Sequence, residues 1–164
     1  IKVLEMMEDI KSNVSDWQNE TMVRNYLQKI AHGKANDGSG LIYGLGHAVY
    51  TLSDPRALRL KQKALDLSKD KGLEEEFELY ETVERISPEV LGKNNISANV
   101  DFYSGFVYKA LDIPKELFTP IFAVARISGW CAHRIEELVS DGKIIRPAYK
   151  NIVDKRAYVS IGER

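Results

Sequence analysis

The sequence predicts an all-α fold, and three observations support this class. Apolar residues recur at the spacing of one helix face along most of the chain, helix-capping residues precede several of these segments, and the alternation typical of strands is almost absent. With 164 residues, of which 44% are hydrophobic and 29% charged, the chain is long enough to bury a substantial core. We therefore expect one helical domain, or one domain with an extension.

The first two helices are expected before residue 33. The apolar face of the first helix is formed by Val3, Met7, Ile10 and Val14. The sequence NVSD interrupts this pattern, and Ser15 with Gln18 resembles a capping box for a second helix. That helix continues over residues 17–32 and is expected to end at Gly33, since glycine commonly terminates helices.

Two further helices are expected between residues 54 and 90. Asp54 followed by Pro55 is typical of an N-cap with proline in the first helical turn, and a helix over residues 56–70 follows. Residues 73–90 repeat the helical pattern and carry acidic residues near their start, where the helix dipole favours negative charge.

The rest of the chain contains a polar loop, two helices and a tail. The sequence LGKNNISANVD predicts a loop, and a helix over residues 101–111 follows it. After Pro114, a helix over residues 117–139 is apolar on nearly every face, and such a helix is normally buried on all sides. We expect a subunit interface or a further domain to cover it. From Asp141 onward the sequence predicts an extended tail.

Composition excludes several classes of function. The 23 basic and 24 acidic side chains give a net charge of −1, so neither nucleic acid nor an anionic membrane is an expected partner. No apolar run approaches the roughly 20 residues that span a bilayer, so neither a membrane span nor a signal peptide is expected. The single Cys131 excludes an internal disulfide, and a cytoplasmic location is expected. Cys131 and His133 point to different helix faces, so no metal site is predicted.

The passage GLIYGLGHAVYTLSDPRAL is the first candidate for a functional loop. Gly44 and Gly46 stand just before His47, and glycines allow positive φ angles and a close approach of backbone to a ligand. The pattern is neither a dinucleotide-binding fingerprint nor a P-loop. The alternative is a flexible turn between helices, in which His47 is an ordinary surface side chain.

Charged residues elsewhere strengthen the functional interpretation of this loop. Arg56 begins a helix, Asp101 begins another after the second polar loop, and Arg126 lies within the apolar helix. Together with His47 they could form an anion-binding site with an acid or base group. The alternatives are a stabilising first-turn acid behind the N-cap Asn99 for Asp101, and an ordinary salt bridge for Arg126.

Four segments in this order resemble the citrate synthase family: GLGHAVYTLSDPRA, NVDFYSGFVYKALDIP, FAVARISGWCAHRIEE and IIRPAY. The resemblance covers the whole chain and implies a small domain over residues 1–112. Residues 113–164, comprising a helix over 118–139 and the tail, would return to the large domain and help to form a homodimer. The chain begins at Ile1 within a helical pattern, which indicates a fragment. Two histidines that the family carries upstream are absent from this sequence.

The resemblance also implies roles for individual residues. His47 would polarise the oxaloacetate carbonyl, and Asp101 would remove a proton from the methyl group of acetyl-CoA. Oxaloacetate carboxylates would be bound by Arg56, Arg126 and, in the partner subunit's site, Arg146. Coenzyme A contacts would come from Ile42, Gly44, Leu45, Gly46, Lys93 and Asn95.

The implied function is that of a citrate synthase fragment. The parent enzyme condenses acetyl-CoA with oxaloacetate and water to give citrate and CoA in the tricarboxylic acid cycle. Acetyl-CoA is its substrate, and no resident cofactor is implied. The isolated chain is expected to be inactive without the upstream histidines. The alternatives are a 2-methylcitrate synthase that uses propionyl-CoA, and a non-catalytic helical interaction module.

Overall fold

The computed structural model describes residues 1–50 and 52–140, together with residues 160 and 162. Within these residues the chain forms helices and no β-strand, which confirms the all-α prediction. The α-helices are α1 (Lys2–Asn13), α2 (Glu20–Ala31), α3 (Pro55–Lys71), α4 (Glu74–Val90), α5 (Val100–Ala110) and α6 (Phe118–Val139). A turn of 3₁₀ helix, Lys115–Leu117, leads into α6.

The N-terminal caps of α3 and α5 agree with the sequence. The Asp54 carboxylate accepts a hydrogen bond from the Arg56 backbone N–H at 3.0 Å, and the Asn99 side chain accepts one from the Asp101 backbone N–H at 3.0 Å. Each bond satisfies a backbone donor that the first helical turn leaves unpaired. These two caps fix the beginning of both helices.

The cap of α2 differs from the prediction. Asn19 accepts hydrogen bonds from the backbone N–H groups of Thr21 and Met22, at 3.1 and 3.3 Å, and the helix begins at Glu20. The predicted capping box of Ser15 and Gln18 is therefore wrong. Asparagine is as good an N-cap as serine, and Asn19 directly precedes the first residue of α2.

Aromatic residues of α4 and α5 form the centre of the core. The Tyr80 ring packs edge-to-face on Phe102 at 5.6 Å and on Phe106 at 5.3 Å between ring centroids. All three side chains are buried. Buried residues of α1 and α2 pack against the same cluster, so the helices that flank the two polar loops share one core.

The chain divides into two compact units, Ile1–Phe122 and Ala123–Arg164. The first unit contains α1 to α5 and the beginning of α6. The predicted boundary after residue 112 concerns the domains of a whole enzyme, and it stays a prediction. The predicted tail from residue 141 lies outside the described residues, apart from residues 160 and 162.

The apolar side chains of α6 are largely exposed in this single chain. Val124 is 66% exposed, Trp130 59% and Ile135 63%. The sequence predicts that a subunit interface or a further domain covers this helix, and that coverage stays a prediction. Among the described residues, no helix combines the length and the apolar character that a membrane span requires.

Candidate functional site

Backbone hydrogen bonds join the two polar loops of the first unit. We call residues 40–50 the histidine loop and residues 91–99 the second loop. Leu45 and Ala98 form an isolated antiparallel bridge, in which Gly46 N–H donates to Ser97 C=O and Asn99 N–H donates to Gly44 C=O, both at 2.8 Å. The bridge brings the segment that carries His47 beside the segment that begins α5.

Gly44 cannot be replaced by another residue without strain. Its φ is +84°, and a Cβ atom at this position would lie 2.7 Å from the Phe102 ring and 2.9 Å from Val3. Both values are below the distances that real Cβ atoms show. The positive φ agrees with the sequence interpretation, and the close packing explains why the loop can lie flat against α5.

The histidine loop fixes the imidazole of His47. Its Nδ1 atom accepts hydrogen bonds from the backbone N–H groups of Val49 and Tyr50, at 3.0 and 3.1 Å. A nitrogen that accepts two hydrogen bonds carries no proton, so the neutral imidazole holds its proton on Nε2. Nε2 is thereby presented as a hydrogen-bond donor. The Tyr50 ring packs on the imidazole at 4.9 Å between centroids.

Arg56 lies beside this donor. One guanidinium nitrogen, Nη2, is 3.4 Å from His47 Nε2. Nε and Nη2 also donate to the two carboxylate oxygens of Asp54, at 3.0 and 2.8 Å, in a bidentate pair. The Tyr50 ring lies 5.4 Å from the guanidinium carbon. The His47 and Arg56 nitrogens thus lie side by side, where both could reach a carbonyl or carboxylate oxygen of a ligand.

Asp54 holds Arg56 in place. Its carboxylate is fully buried, whereas the Arg56 side chain is 38% exposed. The hydrogen bonds from the Arg56 side chain lower the pKa of Asp54 to about 2, and the same pair raises the pKa of Arg56. The carboxylate therefore stays ionised at neutral pH and orients the guanidinium.

Asp101 lies at the start of α5 and lines a cleft of about 430 Å³. Its neighbours in the cleft wall include Lys2, Tyr43, Gly44 and Ser104. Among residues 1–50 and 52–140, no donor hydrogen-bonds to the Asp101 carboxylate, so its lone pairs are available to a ligand. The Asp101 charge contributes to the raised pKa of Arg56. The structure therefore brings His47, Arg56 and Asp101 into one region, although His47 and Arg56 do not line the cleft.

The predicted coenzyme A residues lie on the two joined loops. In the Leu45–Ala98 bridge the hydrogen bonds are made by the neighbours, so the backbone groups of Leu45 point away from the second loop. Ile42 is buried, whereas Lys93 and Asn95 are exposed on the second loop. Their contact with a coenzyme stays a prediction.

The structure does not test the two remaining predicted arginines. Arg126 is partly buried and belongs to the second unit, and Arg146 lies outside the described residues. Their predicted roles stay predictions. In the described part of the chain, no three His, Cys, Asp or Glu side chains are grouped as metal ligands would be.

Tyr50 and Asp54 make side-chain contacts in this region that the sequence did not predict. Tyr50 packs on both His47 and Arg56, and the three-residue spacing from His47 was the only signal for it. Asp54 was recognised as a cap, but its bidentate bond to Arg56 was not expected.

Comparisons with known proteins agree with the resemblance. The sequence model of the family described as citrate synthase, C-terminal domain, matches residues 1–148. The citrate synthase of Synechocystis is 42% identical over 164 residues, which is 99% of this chain and 38% of that protein. The citrate synthase of Acidithiobacillus ferridurans is 41% identical and is covered over 40% of its length.

Solved structures give the same result. The citrate synthase of Thermotoga maritima has a TM-score of 0.67 and 35% identity, with 99% of this chain and 41% of that chain covered. The enzyme of Thermoplasma acidophilum, solved in a ternary complex with carboxymethyl coenzyme A and oxaloacetate, has a TM-score of 0.67 and 30% identity over 99% of this chain and 42% of that chain. This chain thus spans about two fifths of the length of these relatives. By sequence and by fold, it belongs to the citrate synthase family.

Proposed function

We propose that the protein containing this chain condenses acetyl-CoA with oxaloacetate and water to give citrate and CoA, a step of the tricarboxylic acid cycle. The observation that carries the proposal is the position of His47 Nε2, 3.4 Å from Arg56 Nη2, with Arg56 held by Asp54 and His47 held by the backbone of its own loop. The Thermoplasma relative binds oxaloacetate and a coenzyme A analogue, which supports the same substrates here.

Oxaloacetate offers acceptors that match this pair. The His47 Nε2–H would donate to the ketone oxygen and make its carbon more electrophilic. Arg56 would bind one carboxylate, because a guanidinium recognises carboxylates bidentately. Arg126, and Arg146 in the partner subunit's site, would bind the remaining negative charge.

Asp101 would act as the general base. It would take a proton from the methyl carbon of acetyl-CoA, and the resulting carbon nucleophile would attack the ketone carbon of oxaloacetate. The absence of a hydrogen-bond donor on this carboxylate, within the described residues, leaves it able to accept that proton. The thioester oxygen needs a further donor, which the family supplies from a histidine upstream of this chain. Water then hydrolyses the thioester and releases CoA.

Coenzyme A would lie along the histidine loop. The backbone N–H and C=O of Leu45 point away from the second loop and could pair with adenine, while the backbone of Ile42, Gly44 and Gly46 shapes the surface. Lys93 and Asn95 would contact the coenzyme from the second loop. Since the coenzyme is part of the substrate, the reaction needs no resident cofactor.

We also propose a cytoplasmic homodimer, formed through α6 and the tail. The apolar side chains exposed on α6 support the dimer. The exposed free thiol of Cys131 supports a reducing compartment such as the cytoplasm.

The test is a condensation assay of this chain together with the N-terminal part of a related citrate synthase. Free thiol is measured after addition of oxaloacetate and either acetyl-CoA or propionyl-CoA. We expect thiol release that requires both proteins and is faster with acetyl-CoA. Asp101→Asn should lower kcat by a factor on the order of 100 or more, because general bases contribute about 10²–10⁴-fold.

Asp70→Asn is the matched control, since Asp70 is an exposed aspartate near the end of α3. It should leave the rate unchanged. Equal rates for the Asp101 and Asp70 variants would refute the role of Asp101. Faster thiol release with propionyl-CoA would favour the 2-methylcitrate reaction, and no thiol release with a folded mixture would refute the condensation.

A further inference from the structure

Asn99 is the residue that connects the two candidate catalytic segments. Its side-chain oxygen accepts a hydrogen bond from the Asp101 backbone N–H at 3.0 Å, and its side-chain nitrogen donates to the Gly46 C=O at 2.9 Å. Its backbone N–H donates to the Gly44 C=O at 2.8 Å. One partly buried asparagine is thus bonded to the residue directly before His47 and to Asp101 itself.

The two side-chain bonds have different functions. A cap needs only an acceptor oxygen, which serine, threonine or aspartate also provide. The bond to Gly46 spans 53 residues and needs a donor on the same side chain. Among the usual capping residues, only asparagine has an acceptor and an NH₂ donor that can both reach these distances.

The bond to Gly46 acts on His47 through one peptide group. The Gly46 C=O belongs to the same peptide plane as the His47 N–H, so holding this oxygen fixes the orientation at which the chain enters His47. Gly46 has a φ of +82° and no side chain, and it does not fix this orientation by packing. The imidazole is then held by the bonds from Val49 and Tyr50.

Arg56 does not depend on this connection. Its guanidinium is fixed by Asp54 at the start of α3, and the two hydrogen bonds of the Asn99 side chain go to Gly46 and Asp101 instead. Loss of the Asn99 donor should therefore disturb the His47 imidazole and leave the carboxylate-binding arginine in place.

We propose that Asn99 is a positioning residue that sets the geometry between His47 and Asp101 through its bond to Gly46. This inference rests on the proposed condensation for its kinetic consequence. Its structural part, the control of His47 by Asn99, stands without it.

The test compares Asn99→Ser with Asn19→Ser in the full chain. Serine retains the capping oxygen at both positions and removes the side-chain NH₂ group. Asn19 caps α2 in the same manner as Asn99 caps α5, but among the described residues nothing accepts a hydrogen bond from its NH₂ group. Both variants lose the NH₂ group of a capping asparagine, but only Asn99→Ser also loses the hydrogen bond to Gly46.

The first measurement is the imidazole ¹⁵N spectrum, which is simple because the chain has three histidines. In the wild type, His47 should show the pattern of a single tautomer with its proton on Nε2. Asn99→Ser should shift this pattern toward an average of the two tautomers, and Asn19→Ser should not change it. An unchanged His47 spectrum in a folded Asn99→Ser variant would overturn the inference.

The second measurement is the condensation assay with the N-terminal part of a relative. Asn99→Ser should lower kcat by about 10- to 100-fold, since misplacing a reacting group by about 1 Å costs on this order. The KM for oxaloacetate should change less than about threefold, because Arg56 is still held by Asp54. Asn19→Ser should leave both constants unchanged. Equal kcat values for the two variants would overturn the inference.

The two proposals fail in different ways. If the wild-type mixture releases no thiol, the condensation is refuted, while the His47 spectrum still decides whether Asn99 controls the imidazole. If the wild type is active and the Asn99→Ser variant is equally active, the condensation stands and the positioning role is refuted.

Discussion

At the scale of single residues, Tyr80 carries a hydroxyl that contributes no hydrogen bond in the core. Its ring is fully buried, and within the described residues nothing pairs with its oxygen. Burial raises the pKa of this hydroxyl well above its ordinary value. An unpaired buried hydroxyl costs about 1–3 kcal/mol of stability, whereas the ring itself packs well.

Tyr80→Phe is therefore expected to increase the free energy of unfolding by about 1 kcal/mol, because it removes the unpaired group and retains the ring. Tyr26→Phe is the control and should decrease it, since the Tyr26 hydroxyl donates to Asp9 at 2.8 Å. Urea unfolding followed by circular dichroism measures both. If Tyr80→Phe destabilised the chain as much as Tyr26→Phe, the Tyr80 hydroxyl would have a hydrogen-bond partner.

The pair of Asp54 and Arg56 predicts a pH dependence of stability. The pKa of Asp54 is about 2 in the folded chain and 3.8 without its partners. Because the folded value is the lower one, Asp54 stabilises the fold fully above pH 4, and this contribution is lost as the pH falls toward 2.

Asp54→Asn should thus destabilise the chain at pH 7, and the difference from wild type should be smaller at pH 3. Urea unfolding at the two pH values tests this expectation. The exposed Asp70→Asn serves as the control, with a small difference at both. A difference for Asp54→Asn that is the same at pH 7 and pH 3 would contradict the assignment.

At the scale of helices, Glu76 connects α4 to α1 and α5 through two salt bridges. Its carboxylate lies 3.1 Å from the Lys11 ammonium of α1 and 2.8 Å from that of Lys109 of α5, and the side chain is 11% exposed. Burial alone would raise the pKa of Glu76, but the hydrogen bond from Lys109 and the charge of Lys11 outweigh it and lower the pKa.

Glu76→Gln should reduce the free energy of unfolding by about 1–3 kcal/mol, because two partly buried ammonium groups lose their common anion. Glu75→Gln, at an exposed position of the same helical turn, should change it by less than about 0.5 kcal/mol. Chemical denaturation of both variants provides the comparison. Equal stabilities would mean that the two lysines find other partners.

At the scale of the whole molecule, the exposed face of α6 predicts association of the chain. Trp130→Glu places a charge on a side chain that is 59% exposed, and it should convert a dimer into a monomer in light scattering. Met22→Glu, at an exposed apolar residue of α2, should leave the dimer intact. A wild-type monomer would refute association through α6.

The helices could be predicted from the sequence, because their signals are local. The periodic apolar residues and the Asp54 and Asn99 caps act within a few neighbouring positions. The error at Ser15 arose because Asn19 offers an equally good local cap. The placement of His47 and Asp101 in one region depends on backbone hydrogen bonds from Gly46 to Ser97 and from Asn99 to Gly44. Backbone atoms leave no signal in the residue types. The roles of Arg126 and Arg146 follow neither from local sequence signals nor from the described contacts between the loops.

The Leu45–Ala98 bridge also bears on the order in which the chain folds. It closes a segment that contains all of α3 and α4. Closing so long a segment costs entropy, which the packing of these helices in the core must offset. The bridge should therefore form after the helices have docked. The same bonds are few and near the surface, so they should also open before any helix unfolds. Amide exchange at Gly46 and Asn99 should then be faster than exchange in the buried helices, and the site could open and close while the core remains folded.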